Sequence, residues 1–197
     1  MNADTGTGTG IDPGVGLDLG TGTGIGSGPG AGAAVDVPAA PTADPLALRR
    51  VYGAFPTGVT ALAALVDGEP VGMTASSFVT VSLDPPLVSV CAALTSSTWP
   101  RLRRAARLGV SVLGGGQEGV CRQLAARGVE RFAGLDWHRT GEGAVLLDGS
   151  CAWFDCSVER EVAAGDHRIV LLRVHGLGGD PQAPPLVFHG SRYRRLA

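Results

Sequence analysis

The four residues Thr74, Ala75, Ser76 and Ser77 lie just before a β-type run, and three of them, all except Ala75, carry a hydroxyl group. No large side chain lies among them, so a ligand could approach the backbone there. Hydroxyls and exposed N–H groups can hold a phosphate or the polar edge of a ring without adding charge. The same residues could instead form a turn in which the hydroxyls cap their own backbone. The chemistry of the residues leaves both interpretations open.

A second hydroxyl cluster, Ser96, Ser97 and Thr98, precedes Trp99-Pro100 and a short helix predicted over residues 101–107. Hydroxyls at the start of a helix, together with the positive end of its dipole, suit a phosphate. Simple N-capping of the helix explains the same residues equally well.

Arginine and histidine side chains at two loop positions could also meet a ligand. Arg131, followed by Phe132 in a loop predicted over residues 130–137, could bind a phosphate or a partner's carboxylate, or could simply be solvated. His167 follows Asp166 in the turn between the two longest β-type runs. Its ring could donate or accept at a ligand edge, or it could be an ordinary surface histidine. The remaining histidines show no metal-ligand spacing, so we predict no metal site.

The segment Gly114 to Gly119 matches G-x-G-x-x-G between a predicted strand and a predicted helix, and Asp136 follows twenty residues after Gly116. This pattern is typical of dinucleotide-binding domains. Such domains need repeated strand–helix–strand units, whereas the preceding strands here are linked by hairpins. We therefore disfavour this interpretation.

Short β-type runs dominate the rest of the chain. A helix is predicted to start at Asp44 as N-cap with Pro45 in its first turn, and a hairpin turn is predicted over Asp67-Gly68-Glu69-Pro70. Residues 78–83 alternate polar and apolar side chains, and a proline pair then interrupts the ladder before a run over 87–92. With about eight or nine strands and two or three short helices, the chain is predicted to be mainly β, an antiparallel β-barrel.

Composition divides the 197 residues into two parts. Residues 1–45 hold twelve of the thirty-one glycines, five acids and no basic residue, which predicts a disordered tail unable to bury a core. Residues 46–197 are predicted to form one domain. All sixteen basic residues are arginines of this part, and against thirteen acids they leave a charge of +3.

A net charge this small does not indicate a nucleic-acid-binding surface. No apolar run is long enough to cross a membrane. The four cysteines lack paired C-x-x-C spacing, so neither a zinc site nor a disulfide framework is predicted. We see no secretion signal and expect a cytoplasmic location.

Several separated segments, in this order, together resemble one known family. They are F-P-T-G-V (55–59), G-M-T-A-S-S-F-V-T-V-S-L-D-P-P-L-V (72–88), S-S-T-W-P (96–100), V-S-V-L (110–113), E-R-F-A-G-L (130–135), G-D-H (165–167) and H-G-S-R-Y-R-R-L (189–196). Residues 46–197 resemble the short-chain flavin reductases, the reductase components of two-component flavin-dependent monooxygenases. The resemblance does not extend to the tail.

The resemblance implies a Greek-key split β-barrel of the FMN-binding type and a homodimer. It implies reduction of FMN, or FAD, by NADH or NADPH, with the reduced flavin passed to a partner monooxygenase. By the resemblance, four groups of residues match flavin-binding positions, and His167 matches the histidine associated with the nicotinamide. The flavin-binding positions are Thr74, Ala75, Ser76 and Ser77; Cys91 and Ala92; Ser96, Ser97 and Thr98; and Arg131 and Phe132.

One departure concerns the turn after V-S-V-L, where Gly114 to Gly116 replace a more polar sequence and Ser111 replaces an asparagine. Two alternative functions stay open from the sequence. The first is a flavin-binding barrel that oxidises another substrate or only carries flavin. The second is a non-enzymatic interaction module that uses the arginine-rich surface.

Overall fold

The computed structural model describes residues 44–180 and 182–196. The tail predicted for residues 1–45 therefore lies outside the described residues, apart from Asp44 and Pro45. The helices in the described part are α1 (Pro45–Tyr52), α2 (Trp99–Leu102) and α3 (Glu118–Ala125). The strands there are β1 (Thr57–Gly58), β2 (Thr60–Val66), β3 (Glu69–Ala75), β4 (Val79–Leu83), β5 (Pro86–Ala93), β6 (Leu108–Val112), β7 (Trp137–Arg139), β8 (Val145–Leu147), β9 (Ala152–Ala164), β10 (His167–Gly179), β11 (Val187–His189) and β12 (Arg192–Arg194).

The main sheet has seven strands in the order β3-β2-β6-β9-β10-β5-β4, and all its pairings are antiparallel. The largest core cluster, which includes Leu62, Val90, Leu108 and Val170, lies against this sheet. A second cluster joins α3, β8 and the β11–β12 hairpin through residues such as Leu124 and Leu147. The prediction of a mainly β, antiparallel chain with short helices is confirmed, although the described residues hold more strands than the sequence indicated.

Local turn chemistry sets two of the predicted elements. Asp44 caps α1 as predicted, because its side-chain Oδ1 accepts a hydrogen bond from the Leu46 N–H at 2.9 Å. Asp67 and Gly68 connect β2 and β3 with φ angles of +55° and +86°. Two consecutive positive φ angles are those of a type I′ turn, which matches the twist of an antiparallel hairpin. The cap is confirmed, and so is the hairpin, but the turn is shorter than predicted, because Glu69 and Pro70 already belong to β3 and pair with β2.

The helix predicted over residues 101–107 is wrong in its bounds, since α2 begins at Trp99 and ends at Leu102. Its first and last residues are both buried, which fixes it against the core. Beyond Leu102 the backbone tightens: the Arg104 and Ala105 N–H groups bond to carbonyls only three residues back, at 3.2 and 3.0 Å. This three-residue spacing ends the α-helix.

The alternating run in β4 has the predicted apolar face, but the core of the described chain does not cover that face. Val79, Val81 and Leu83 are 57%, 49% and 89% exposed. Helix α1 is similar, because Leu46, Val51 and the following Phe55 are all exposed. The alternation in β4 was therefore predicted correctly, whereas α1 ends at Tyr52, so Phe55 does not share a helical face with Leu46 and Val51.

The G-x-G-x-x-G segment forms a turn between β6 and α3, inside an antiparallel framework rather than a strand–helix–strand unit. The Gly114 N–H donates to the Gln117 side-chain oxygen at 2.8 Å, so the turn satisfies its own backbone. Ser111, the other departure from the family pattern, is buried, and its hydroxyl accepts from the Leu147 N–H at 3.0 Å. The dinucleotide-binding interpretation is not supported by this geometry.

Candidate functional site

A cleft of about 530 Å³ lies where the end of β3, the turn after β5, and the loop after α3 meet. Its volume is within the usual range for small-molecule sites. Five of the residues proposed for flavin line it: Thr74, Ser96, Ser97, Thr98 and Arg131. We call this the hydroxyl cleft.

The lining of the hydroxyl cleft is cationic and hydroxyl-rich. Arg127 and Arg131 contribute two guanidinium groups, and no acidic side chain is among the lining residues. Five of the lining residues carry hydroxyls: Thr74, Thr95, Ser96, Ser97 and Thr98. Guanidinium and hydroxyl donors without a competing carboxylate are the groups that bind a phosphate ester.

Arg131 anchors the loop after α3 to the barrel. Its Nε donates to the Ala126 carbonyl at 2.9 Å, and its Nη1 donates to the Gly72 carbonyl at 2.9 Å and to the Thr98 Oγ1 at 2.8 Å. One side chain thus joins the loop, β3 and the start of α2. Arg131 is not a freely solvated arginine, and its first effect is to hold the walls of the cleft together.

Ser96 caps the start of α2, because its hydroxyl accepts from the Trp99 N–H at 3.1 Å. The capping interpretation of this cluster is therefore correct for Ser96. Ser97 is exposed and Thr98 is buried. Because Thr98 Oγ1 already accepts from Arg131, its own O–H remains the donor that can point elsewhere.

Apart from Thr74, the residues proposed at the end of β3, just after it and along β5 do not line the hydroxyl cleft. Ala75 and Ala92 are buried in the main core, and Ser76 is exposed. The Ser77 hydroxyl accepts from the Cys91 N–H at 2.8 Å, which fastens the segment after β3 to β5. Flavin contacts by these residues remain a prediction, and Ser76 is the exposed residue of the set.

Phe132 lies over Gly72 of β3, where an added Cβ would come within 2.8 Å of the Phe132 ring. Its ring also meets Trp137 edge to face, with centroids 6.4 Å apart. Both aromatic rings line a larger neighbouring cleft of about 980 Å³, which shares Ser97, Thr98 and Arg131 with the hydroxyl cleft. Phe132 is thus close to the hydroxyl cleft without lining it.

His167 is the first residue of β10 and pairs with Ala93, which lines the hydroxyl cleft. Its Nδ1 lies 2.7 Å from the Asp166 Oδ1, and this hydrogen bond lowers the pKa of the Asp166 carboxyl. Among the described residues, Nε2 has no partner. The His167 side chain is 43% exposed, which leaves its ring accessible to a ligand.

All four cysteines are free thiols. Burial raises the pKa of Cys156 to about 12, and burial also raises the pKa of Cys151, so neither is an activated nucleophile. Within the described ranges, no three His, Cys, Asp or Glu residues come together as a metal site would require, and no helix is long and apolar enough to span a membrane.

Sequence reasoning missed Thr95 and Arg127 as lining residues. Thr95 directly continues the Ser96 to Thr98 run, so extending that cluster by one residue would have found it. Arg127 follows α3 immediately before Gly128, which has a φ of +70°. Its place in the cleft depends on how the loop folds back, and the local sequence carries no signal for that.

Replacing Ser77 by alanine is expected to lower the free energy of unfolding by about 1–3 kcal/mol, because the Cys91 N–H loses its acceptor. Chemical denaturation measures this loss. Ser76→Ala is the matched control: the neighbouring hydroxyl is exposed, so a change within about 0.5 kcal/mol is expected. Equal effects of the two variants would contradict the fastening role of Ser77.

These observations define the chain as an antiparallel β-barrel protein with a cationic, hydroxyl-lined cleft. The family model described as "Flavin reductase like domain" matches residues 52–197. The chain belongs to this flavin reductase family.

Relatives and solved structures agree with this membership. The flavin-dependent monooxygenase reductase subunit HsaB of Rhodococcus jostii is 39% identical over 79% of this chain and 80% of its own length. The structure of the Streptomyces globisporus NADH:FAD oxidoreductase SgcE6 is similar with a TM-score of 0.76 and 40% identity, over 82% of this chain and 98% of that one. BorF, the flavin reductase component of a bacterial two-component tryptophan halogenase, has a TM-score of 0.73 at 35% identity, over 78% and 98%. The split-barrel prediction is confirmed by these structures.

Proposed function

We propose that this chain is an NAD(P)H-dependent flavin reductase that supplies reduced flavin to a partner monooxygenase. Family membership supports the activity class, and relatives named as monooxygenase reductase subunits support the partner. The single structural observation that carries the proposal is the hydroxyl cleft, with its two guanidinium groups and five hydroxyl-bearing residues.

The hydroxyl cleft fits the ribityl phosphate of FMN, or the equivalent part of FAD. Arg127 would bind the phosphate as a free guanidinium at the rim, while Ser97 and Thr98 would donate hydroxyl hydrogen bonds. The isoalloxazine ring would lie toward the segment after β3, where Ser76 is exposed. Neutral hydroxyl contacts suit a flavin that must be released after reduction.

Bound flavin and nicotinamide supply the redox chemistry, in which a hydride passes from the reduced nicotinamide to the flavin. The chain has to hold the nicotinamide ring close to the flavin ring, in the orientation that hydride transfer requires. Arg131 keeps the cleft walls in place, and Ser77 keeps the segment after β3 attached to β5. No residue has to act as a nucleophile, which agrees with the raised pKa values of the buried thiols.

His167 is proposed to orient the nicotinamide. Asp166 holds its Nδ1, Nε2 has no partner among the described residues, and His167 pairs with Ala93, which lines the cleft. His167→Ala should raise the apparent KM for NAD(P)H, or slow hydride transfer, by about three- to tenfold, and should leave flavin affinity nearly unchanged. Flavin titration and nucleotide kinetics on the same variant provide the two measurements.

The matched control for His167 is His175→Ala, another exposed histidine of β10, which bonds to Ser157 at 2.8 Å. It should change neither measurement. Loss of flavin binding with normal nucleotide kinetics in the His167 variant would reverse the assignment, and no change in either would make His167 a surface residue.

A homodimer is part of the same proposal. The exposed apolar side chains of α1 and β4 favour a second copy as the surface that covers them, since such faces mark association sites. Leu83, at 89% exposed, offers the sharpest test. Leu83→Glu should shift the mass measured by light scattering from dimer toward monomer, whereas a monomeric wild-type chain would refute the dimer.

The activity itself is tested by NADH and NADPH oxidation in the presence of FMN or FAD, with every pair compared by rate. We expect oxidation that depends on added flavin. A chain that quenches flavin fluorescence but does not oxidise either nucleotide would be a flavin carrier, and the reductase proposal would then be wrong.

A further inference from the structure

We propose that Glu161 of β9 is a positioning residue for flavin binding, which holds the Ser96 to Thr98 run of the hydroxyl cleft in place through α2. The inference rests on the proposed flavin reductase function, in which that cleft takes the flavin phosphate. Glu161 lines neither the hydroxyl cleft nor the larger cleft beside it. Its effect on the ligand is therefore exerted through other residues.

The Glu161 carboxylate bonds to both ends of α2. Its Oε1 accepts a hydrogen bond from the Trp99 Nε1 at 3.2 Å, and Trp99 is the first residue of the helix. The same oxygen lies 3.2 Å from the Nε of Arg103, which directly follows the last residue of the helix. A helix of four residues is not stable by itself, so contacts of this kind determine where it lies.

The carboxylate is itself restrained from two sides. Its side chain is only 10% exposed, and Oε2 lies 3.6 Å from the Nη1 of Arg168 on β10. A carboxylate taken out of water needs partners of opposite charge, which Arg103 and Arg168 supply. Glu161 thus presents Oε1 to α2 from a position that β9 and β10 determine.

Trp99 connects this carboxylate to the hydroxyl cleft. Its ring N–H donates to Glu161, and its backbone N–H donates to the Ser96 hydroxyl at 3.1 Å. A displacement of Trp99 would therefore move Ser96, Ser97 and Thr98, all of which line the cleft. Because Ser97 and Thr98 are proposed to meet the phosphate, the loss should fall on the phosphate of the flavin.

The test compares binding of FMN and riboflavin to the full chain, because these two ligands differ only by the phosphate. Glu161→Met nearly keeps the side-chain length but removes both acceptors. It should weaken FMN binding about tenfold and change riboflavin binding by no more than about twofold. A merely structural role of Glu161 would weaken the binding of both ligands alike.

A second variant and a rescue address the same contacts. Arg103→Met removes one partner from a side chain that is 48% exposed, so folding should tolerate it, and FMN binding should weaken about threefold with riboflavin binding unchanged. Glu161→Gln keeps an oxygen that can accept from the Trp99 Nε1. It should bind FMN within about threefold of the wild-type affinity.

Glu159→Met is the matched control. Glu159 lies two residues earlier in β9, and its carboxylate bonds to Arg173 of β10 at 2.8 and 2.9 Å, which is the partner that the described residues provide for it. This variant also loses an ion pair between β9 and β10, but its ion pair does not involve α2. It should change the affinity for neither FMN nor riboflavin.

Three results would overturn the inference while the wild-type chain still reduces flavin: unchanged FMN affinity in Glu161→Met, equal losses for FMN and riboflavin, or a Glu161→Gln variant as weak as Glu161→Met. If Glu161→Met does not fold, wild-type FMN affinity in Arg103→Met overturns it. A wild-type chain that binds no FMN and reduces neither flavin would instead refute the proposed function, and the inference with it.

Discussion

Arg131→Met is expected to weaken flavin binding about tenfold to hundredfold and to lower the free energy of unfolding by about 1.5–3 kcal/mol. The guanidinium donates to two backbone carbonyls and to Thr98, and methionine keeps the side-chain length without any donor. The loop after α3 would lose its attachment to β3 and α2. Both clefts share Arg131, so both would lose a wall. Flavin titration and chemical denaturation of the same variant measure the two effects.

Arg127→Met is the matched control for Arg131. Arg127 lines the same cleft, is exposed, and has no hydrogen bond to the described residues. Its loss should weaken FMN binding about tenfold, leave riboflavin binding unchanged because riboflavin has no phosphate, and leave stability within about 0.5 kcal/mol. An Arg131 variant that kept full stability would contradict the anchoring role. An Arg127 variant with equal losses for FMN and riboflavin would contradict the phosphate assignment.

Gly109→Ala is expected to destabilise the fold by about 3 kcal/mol or more, at or above the upper end of typical overpacking costs. Gly109 lies in β6, between β2 and β9. A Cβ there would come within 1.9 Å of the Val145 carbonyl oxygen, and Val145 belongs to the buried strand β8. Because the clashing atoms are backbone, a side-chain rotation cannot relieve the contact. Thermal or chemical unfolding measures the loss.

Gly119→Ala provides a control with the opposite expected sign. Gly119 lies in α3, and an added Cβ there meets nothing within 4 Å. Alanine should therefore stabilise the helix by about 0.5–1 kcal/mol. If both glycine variants lost stability equally, the close approach of β8 to β6 would not explain the result for Gly109.

Features determined by neighbouring residues were predictable from the sequence. The Asp44 cap and the hairpin turn at Asp67-Gly68 depend on side chains and φ angles within a few positions, and both were predicted, although the turn is two residues shorter than expected. The bounds of α2 were not predictable. The helix lies at Trp99–Leu102 because Trp99 and Leu102 are buried, and the arginine-rich residues that follow do not continue it. The apolar face of β4 was predictable as a face, but a period-two pattern carries no information on what covers it.

The site divides in the same way. The Ser96 to Thr98 run was identifiable as a helix-start cluster, and its position in the cleft followed from the family resemblance. The three bonds of Arg131 were not predictable, because its acceptors at Gly72 and Thr98 are 59 and 33 residues away in sequence. Arg127 was missed for the same reason. Contacts across such separations depend on the complete barrel topology, and spacing within one segment does not encode them.

The long β9–β10 hairpin also has a consequence for the order of folding. It supplies the sheet neighbours of both β6 and β5, although it follows β5 by nearly sixty residues. Such pairings give a high contact order, and chains of this kind fold slowly because distant segments must meet before their contacts stabilise them. During synthesis, the segments that form the hydroxyl cleft emerge before the strands that hold them together. We therefore expect nascent chains shorter than about 150 residues to expose unpaired strand edges and to depend on chaperones.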